Sequence, residues 1–476
     1  MRGVIEFCAQ CGFCRDVLED MPCLFFPELF RLSHEEKTNG KQATPEELGH
    51  LVDLCNMCGL CCCPRLRVDI RRAKDAFVAR NGLKLATRVR NDVQRIGTLG
   101  GAYPRLSNAL LENKHTSRLL KAVAGIHPER ELPRFPRWSF AEWARRRGLD
   151  RKRAGTGRKV AYFHGCMVRF FPEEAKATVE VLEQNGVEVY LPEQKCCGMP
   201  SLMEGDRRFT FSVARFNLER LEEAVEDGYE VVCSCPTCGY VLKNLFGEGA
   251  YLSPEYRAWL EKKTEEELIA MARAGPSYLE DPFGRTPPGS PRREAPPPIM
   301  LILAGIFRDK GYFASLDGRK RLNVSRHTHD LGDYLRTLDR SGNFNRKLAP
   351  VKSRTAYYPP CHLKEQNIGE PWPELLALVP GLSVENVGGA FDCCGMAGVM
   401  GFKREFHEAS IAMGSRLMKR IEAANPEKLL SDCLSCRLQF NQLLPYQACH
   451  PVEVLKESYD AYRGERSTDE SPPNRS

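Results

Sequence analysis

The 476-residue chain has no apolar run long enough to cross a bilayer. Its longest, from Pro298 to Phe307, stops well short of the roughly 20 residues a membrane-spanning helix needs. No amphipathic anchor is evident either. The N-terminus lacks an apolar leader, because Met1-Arg2-Gly3 leads within a few residues to Cys8. The expectation is therefore a reducing, cytoplasmic setting, with peripheral contact to the inner face of the membrane as the closest approach to lipid. Nucleotide loops of the GxGxxG or Walker type, a GxSxG elbow and a CxxCH haem attachment are all missing, so no catalytic residue is assigned. Charge of one sign is scarce too: 69 Lys and Arg stand against 62 Asp and Glu, a net +7. Metal-bound thiolates would cancel much of that excess, so no nucleic-acid partner is expected. The densest basic run, residues 145–159, has eight Lys or Arg and one Asp. It reads as a solvated linker, with contact to a partner or an anionic surface as the other reading.

What the chain has in abundance is cysteine, 21 residues in three blocks. That is too many for packing alone, and the chain is too long for a small disulfide-stapled fold. The second and third blocks repeat each other. Cys166 matches Cys361 at an offset of 195, Cys196-Cys197-Gly198 matches Cys393-Cys394-Gly395 at 197, and Cys235-x-x-Cys238 matches Cys433-x-x-Cys436 at 198. A duplicated module explains five cysteines and a glycine recurring in register.

Each copy carries a strand–helix–strand–helix–strand pattern. In the first, strands are predicted over Val160–Phe163, Val187–Leu191 and Tyr229–Val232, with helices after Pro172 and over Asp206–Asp227. In the second, strands are predicted over Thr355–Tyr358, Ser383–Val387 and Lys428–Leu430. The cysteine groups then fall just past the carboxyl ends of parallel strands, where open α/β sheets place their sites.

Two neighbouring side chains in an extended segment point opposite ways, and a following glycine lets the chain fold back, so both sulfurs of a CCG triplet can reach one centre. Five thiolates exceed what a cubane or a zinc ion needs. An open, irregular cluster is expected, with zinc held by four of the five as the alternative. In the first block, Cys8-x-x-Cys11-x-x-Cys14 and Cys55-x-x-Cys58-x-x-Cys61 each offer three thiolates on a tight loop, which suits three corners of a [4Fe–4S] cubane. The expected wiring is Cys8, Cys11 and Cys14 with Cys63, and Cys55, Cys58 and Cys61 with Cys23; Cys62 rivals Cys63. Cys233 and Cys449 read as structural. His164, His362 and His450 beside the cysteines read as packed polar residues or as donors to cluster sulfur. His327 and His329 read as an exposed helix start, with metal chelation as the other reading.

This order of cysteine motifs resembles the heterodisulfide reductase-type iron–sulfur proteins. The stretches Phe163-His164-Gly165-Cys166, Pro360-Cys361-His362, Cys393-Cys394-Gly395-Met396-Ala397-Gly398, Gly401-Phe402-Lys403 and Cys449-His450-Pro451 are most similar to the group of C subunits of anaerobic glycerol-3-phosphate dehydrogenases. The resemblance implies an α+β multidomain chain. A helical two-cluster ferredoxin-like domain (residues 1–100) and a helical connector (101–157) precede a first α/β CCG domain (158–250). A linker (251–350) with a disordered insertion (275–298), a second CCG domain (351–461) and a disordered tail (462–476) follow. It implies two cubane and one or two noncubane [4Fe–4S] clusters, the latter on Cys166, Cys196, Cys197, Cys235 and Cys238 and on Cys361, Cys393, Cys394, Cys433 and Cys436. The implied role is electron transfer between a flavoprotein dehydrogenase partner and a membrane quinone or cytochrome. A catalytic disulfide reductase is the alternative, and a non-redox zinc scaffold the third.

Overall fold

The computed structural model describes residues 1–11, 23–59, 61, 64–153, 155, 157–267, 310–389 and 391–469. Cys14, Cys62, Cys63 and the low-complexity insertion lie outside them. Two four-stranded, wholly parallel sheets organise the rest. The first contains β1 (Lys159–Phe163), β2 (Glu188–Tyr190), β3 (Glu230–Cys233) and β4 (Thr328–Asp330) in the order β2-β1-β3-β4. The second repeats that order as β6-β5-β7-β8, with β5 (Ser353–Tyr357), β6 (Leu382–Asn386), β7 (Lys428–Leu430) and β8 (Ala448–Cys449).

Local chemistry explains the crossovers. The helix Pro172–Gln184 begins with proline, whose missing N–H costs nothing in a first turn. It ends at Gly186, where φ is +67° and Val187 N–H reaches back to the Leu182 carbonyl at 3.1 Å before β2 begins. Helix Arg207–Glu226 is capped by the Asp206 carboxylate, which accepts from Phe209 N–H at 3.2 Å, and it exits through Gly228 in the same way. In the second module Asn425, at φ +41°, ends helix His407–Ala424.

The six predicted strands therefore exist, with ends moved by at most two residues. The fourth strand of each sheet has no counterpart in the sequence pattern. Thr328-His329-Asp330 is polar, and it is buried because β4 pairs with β3 rather than because its own side chains are apolar. His329 accordingly sits on a strand, largely buried, with Nε2 2.6 Å from Glu230. The exposed helix start expected there is corrected: the helix starts at Leu331, one residue after β4, and Asp330 is its cap. Residues read as linker thus complete the first sheet. The last helix, Pro451–Asp469, runs into the stretch read as a disordered tail.

One hydrophobic core is shared by both modules, joining Val160, Tyr162 and Leu335 to Tyr357, Trp372, Leu430 and Leu455. Arg437 crosses this interface to Glu174, and His450 Nε2 meets the Ser234 carbonyl at 3.1 Å. Two residues of the basic run are tied to the first module. Arg147 pairs with Glu183 at 3.0 Å, and Lys152 with Glu223 at 2.9 Å and with Asp227.

The N-terminal third is helical. Helices Arg2–Cys11, Phe25–Asn39, Pro45–Asp53 and Pro64–Asn81 enclose a small core around Ile5, Leu29 and Leu51. Helices Pro104–Glu112 and Lys114–Val123 then form a hairpin that the sequence pattern did not reveal. Ile96, Leu99, Tyr103, Leu106, Leu110, Leu119, Leu120 and Val123 are eight of the eleven exposed large apolar residues among those described. Helix Pro104–Glu112 buries no residue at all. Leu106 and Leu110, and Leu119 and Val123, stand four apart on helix faces that the other described residues leave open.

Candidate metal centres

In the first module Cys166 follows β1, Cys196-Cys197 precede helix Met199–Met203, and Cys235 and Cys238 flank the turn after β3. Their thiols form one hydrogen-bonded chain, Cys166 to Cys196 to Cys197 to Cys238 to Cys235. Gly198, at φ +92°, and Gly395, at φ +85°, let the double cysteines turn back. A Cβ on Gly395 would lie 2.1 Å from the Ser410 carbonyl oxygen, so the second turn excludes any side chain.

The electrostatics of this chain limit how many of its thiols can ionise at once. Cys166 is pushed well above the usual thiol range, first by its hydrogen bond to Cys196 and then by burial. Cys196, accepting from Cys166 and Cys197, is pulled well below it. Cys235, beside Cys238, is lowered too. Two thiolates can be held this way; five so close together, four of them buried, cannot coexist without positive charge among them. That chemistry fits an iron–sulfur or zinc centre. Cys233 stays out of the chain. It is fully buried at the end of β3, and burial raises its thiol.

The second module repeats the arrangement through Cys393, Cys394, Cys436 and Cys433, which are linked by thiol hydrogen bonds. Cys361 is half-buried nearby, but its leading electrostatic neighbour is Cys58 from the N-terminal domain. Cys449, at the end of β8, is pushed up to about 12, chiefly by burial. No disulfide joins any described cysteine.

At the N-terminus, Cys23, Cys55, Cys58 and Cys61 line one cavity together with Cys361 and Cys393. The set expected for the second cubane is thus brought together, against the rim of the second module. Burial raises Cys61, and Cys58, Cys55 and Cys23 add to the effect. Cys8 is buried on helix Arg2–Cys11 and Cys11 is exposed at its end; their expected partners Cys14 and Cys63 lie outside the described residues.

The three histidines beside cysteines are all held near pKa 4 by burial, hence neutral at physiological pH. His164 bonds the Gly165 carbonyl at 2.8 Å. His362 connects three loops at once, which local spacing could not reveal, since its partners are 125 and 305 positions away.

Comparison with known proteins agrees with the repeat. Residues 160–243 and 355–441 each match the CCG cysteine-rich domain. The C subunit of the anaerobic glycerol-3-phosphate dehydrogenase of Escherichia coli K12 is 25% identical over 366 residues, covering 76% of this chain and 74% of that one. The B subunit of the fumarate reductase (CoM/CoB) of Methanothermobacter marburgensis is 22% identical, covering 63% of this chain and 45% of its own. An uncharacterized iron–sulfur protein of Methanococcus maripaludis is 38% identical over 92 residues, covering 19% of this chain and 18% of its own. The chain therefore carries two CCG cysteine-rich domains in tandem and is a homologue of the C subunits of anaerobic glycerol-3-phosphate dehydrogenases.

Proposed function

We propose that this protein is an iron–sulfur electron-transfer component of an anaerobic oxidoreductase complex. The observation that carries the reading is the cavity lined at once by Cys23, Cys55, Cys58 and Cys61 and by Cys361 and Cys393, which sets four N-terminal cysteines against two of the second CCG module. Cys55, Cys58, Cys61 and Cys23 are assigned to one cubane, and Cys8, Cys11, Cys14 and Cys63 to another in a ferredoxin-like domain. The two five-cysteine sets are assigned to noncubane clusters. Bound clusters of this kind supply one-electron redox chemistry. The chain's own part is to hold the thiolates, keep water away and fix the spacing between sites. A flavoprotein dehydrogenase is the proposed donor and a membrane quinone or cytochrome the proposed acceptor. The relatives' own names, as subunits of a dehydrogenase and a reductase, support a role inside a complex.

Iron, acid-labile sulfide and zinc analysis of anaerobically purified protein tests the reading. Iron and sulfide in near-equal amounts are expected, and zinc without sulfide would overturn it. The completeness of both five-cysteine sets favours a second reading, a disulfide reductase. Turnover of an organic disulfide with reduced viologen, without any partner protein, would establish that reading over the carrier role.

The hairpin of residues 104–123 supplies the membrane contact in this proposal. Arg105, Lys114 and Arg118 are exposed on the hairpin and Arg95 on the helix before it, charges suited to an anionic bilayer surface. The double variant Leu106→Glu/Leu119→Glu is expected to lower binding to phosphatidylglycerol vesicles by roughly ten-fold or more, since each leucine loses burial worth about 1.5–3 kcal/mol. Co-sedimentation measures it. Unchanged binding would remove the hairpin from the membrane and leave it as a surface for the partner protein.

A further inference from the structure

We propose that His362 is the positioning residue that locks the three cysteine-bearing loops into a single register. Its imidazole lies between three segments far apart in sequence. Nε2 is 3.1 Å from the carbonyl of Met57, between Cys55 and Cys58 in the N-terminal loop. Nδ1 is 2.9 Å from the Thr237 hydroxyl, between Cys235 and Cys238 of the first module. The residue itself follows Cys361 of the second. The ring is buried and stacks on Tyr240 with centroids 4.7 Å apart and planes 5° from parallel, which fixes its rotation.

The hydrogen bonds fix the tautomer of the neutral ring. A carbonyl only accepts, so Nε2 carries the proton and donates to Met57. Nδ1 then accepts from the Thr237 hydroxyl. The neutral imidazole therefore satisfies both loops at once, and no charge is buried.

The surroundings reinforce the same junction. Gln366, one helical turn on, donates to the Pro236 carbonyl at 3.1 Å, and Asn244 donates to the Glu365 carbonyl at 3.0 Å. Glu365 pairs with Arg67 at 2.6 Å, while Arg67 Nε holds the Cys61 carbonyl at 2.9 Å. A Cβ on Gly59 would lie 2.6 Å from Glu365 Cγ, so the loop and the second module are in close contact there. Met57 adopts φ +52°, a conformation that non-glycine residues hold only when something outside the loop stabilises it; the bond from His362 to its carbonyl does so. Among these contacts His362 alone touches all three loops.

The two ring nitrogens separate the test into halves. Glutamine can place an amide N–H where Nε2 stands, and asparagine can place an amide oxygen where Nδ1 stands. Hydrogen exchange of the full chain, purified anaerobically with its bound metal, reads the loops directly. His362→Ala is expected to accelerate exchange at least ten-fold in both 55–59 and 235–239, with iron per chain unchanged. His362→Gln should restore protection of 55–59 only, and His362→Asn that of 235–239 only. Magnetic coupling between the reduced centres in the EPR spectrum should weaken in His362→Ala and recover partly in each amide variant. This spectroscopic arm rests on the electron-carrier reading, whereas the exchange arm does not. Full protection of both loops in His362→Ala overturns the proposal. So does iron loss to the same extent in all three variants, which would make His362 part of a ligand set. Wild-type protein without iron would overturn the carrier reading instead, and the exchange pattern would still decide the lock.

Discussion

Replacing Glu204 with glutamine is expected to lower stability by about 3–5 kcal/mol, the usual cost of removing one partner from a buried ion pair. Glu204 follows helix Met199–Met203 of the first CCG module, with its side chain only 6% exposed. Its carboxylate meets Lys403 of the second module at 2.6 Å and Arg90 of helix Leu85–Asn91 at 3.6 Å. Lys74 of the N-terminal domain adds a third attractive charge. Those three cations are themselves 5–9% exposed, so the glutamine variant leaves them facing each other without water. Lys403 is also held by its backbone, through the bridge between Ile126 and Lys403, and cannot simply swing away. The shift is read from the midpoint of the first cooperative unfolding transition in denaturant. A Glu204→Gln/Lys403→Met double variant should recover part of the loss, since one of the stranded charges is gone. A change below about 1 kcal/mol in the single variant would show that the junction does not depend on this carboxylate.

The same site predicts a pH dependence. Burial alone would raise the Glu204 carboxyl, but Lys403, Lys74 and Arg90 outweigh it and hold it below the usual carboxylate range. A folded-state pKa below the unfolded one means stabilisation fully present above about pH 4.3 and lost as pH falls through the folded value. The glutamine variant lacks that component, so its stability should decline less steeply on the acid side than that of the wild type.

Which features the sequence disclosed follows from how each is encoded. Six strands were legible as short β-rich runs such as Val160–Phe163, and β2, β3 and β7 also follow helix stops at Gly186, Gly228 and Asn425. β4 and β8 were not, because Thr328-His329-Asp330 and Ala448-Cys449 owe their burial to the strands they pair with. The five-cysteine sets were legible through duplication, which turns spacing into a signal. The approach of Cys361 to Cys58 and the bonds of His362 were invisible, since nothing in a single sequence records contacts across some 300 residues. The hairpin was missed for a different reason. Its two helices have nine and ten residues, too short for a strong periodic signal, although the four-residue spacing of its leucines was there to be counted.

The second large effect separates a proposed ligand from its structural neighbour. Cys238 and Cys233 are five residues apart in the same module, and both are buried. Cys238 stands inside the thiol chain, hydrogen-bonded to Cys197 on one side and Cys235 on the other. Cys233 closes β3 in register with Phe163 and packs into the core with Ala161, Phe163 and Val231. Cys238→Ser is therefore expected to empty the first module. Iron per chain should fall by about a quarter if four [4Fe–4S] centres are present, while the second module's signal is retained. Serine is close in size, so packing is conserved and the loss reports on sulfur alone. Cys233→Ala removes one buried sulfur from an apolar site and should cost about 1–2 kcal/mol through the small cavity it leaves, with iron content intact. Iron and sulfide assays, together with EPR of the reduced protein, measure both outcomes. Equal iron loss in the two variants would move Cys233 into the ligand set and give the first module six thiols where the second has five.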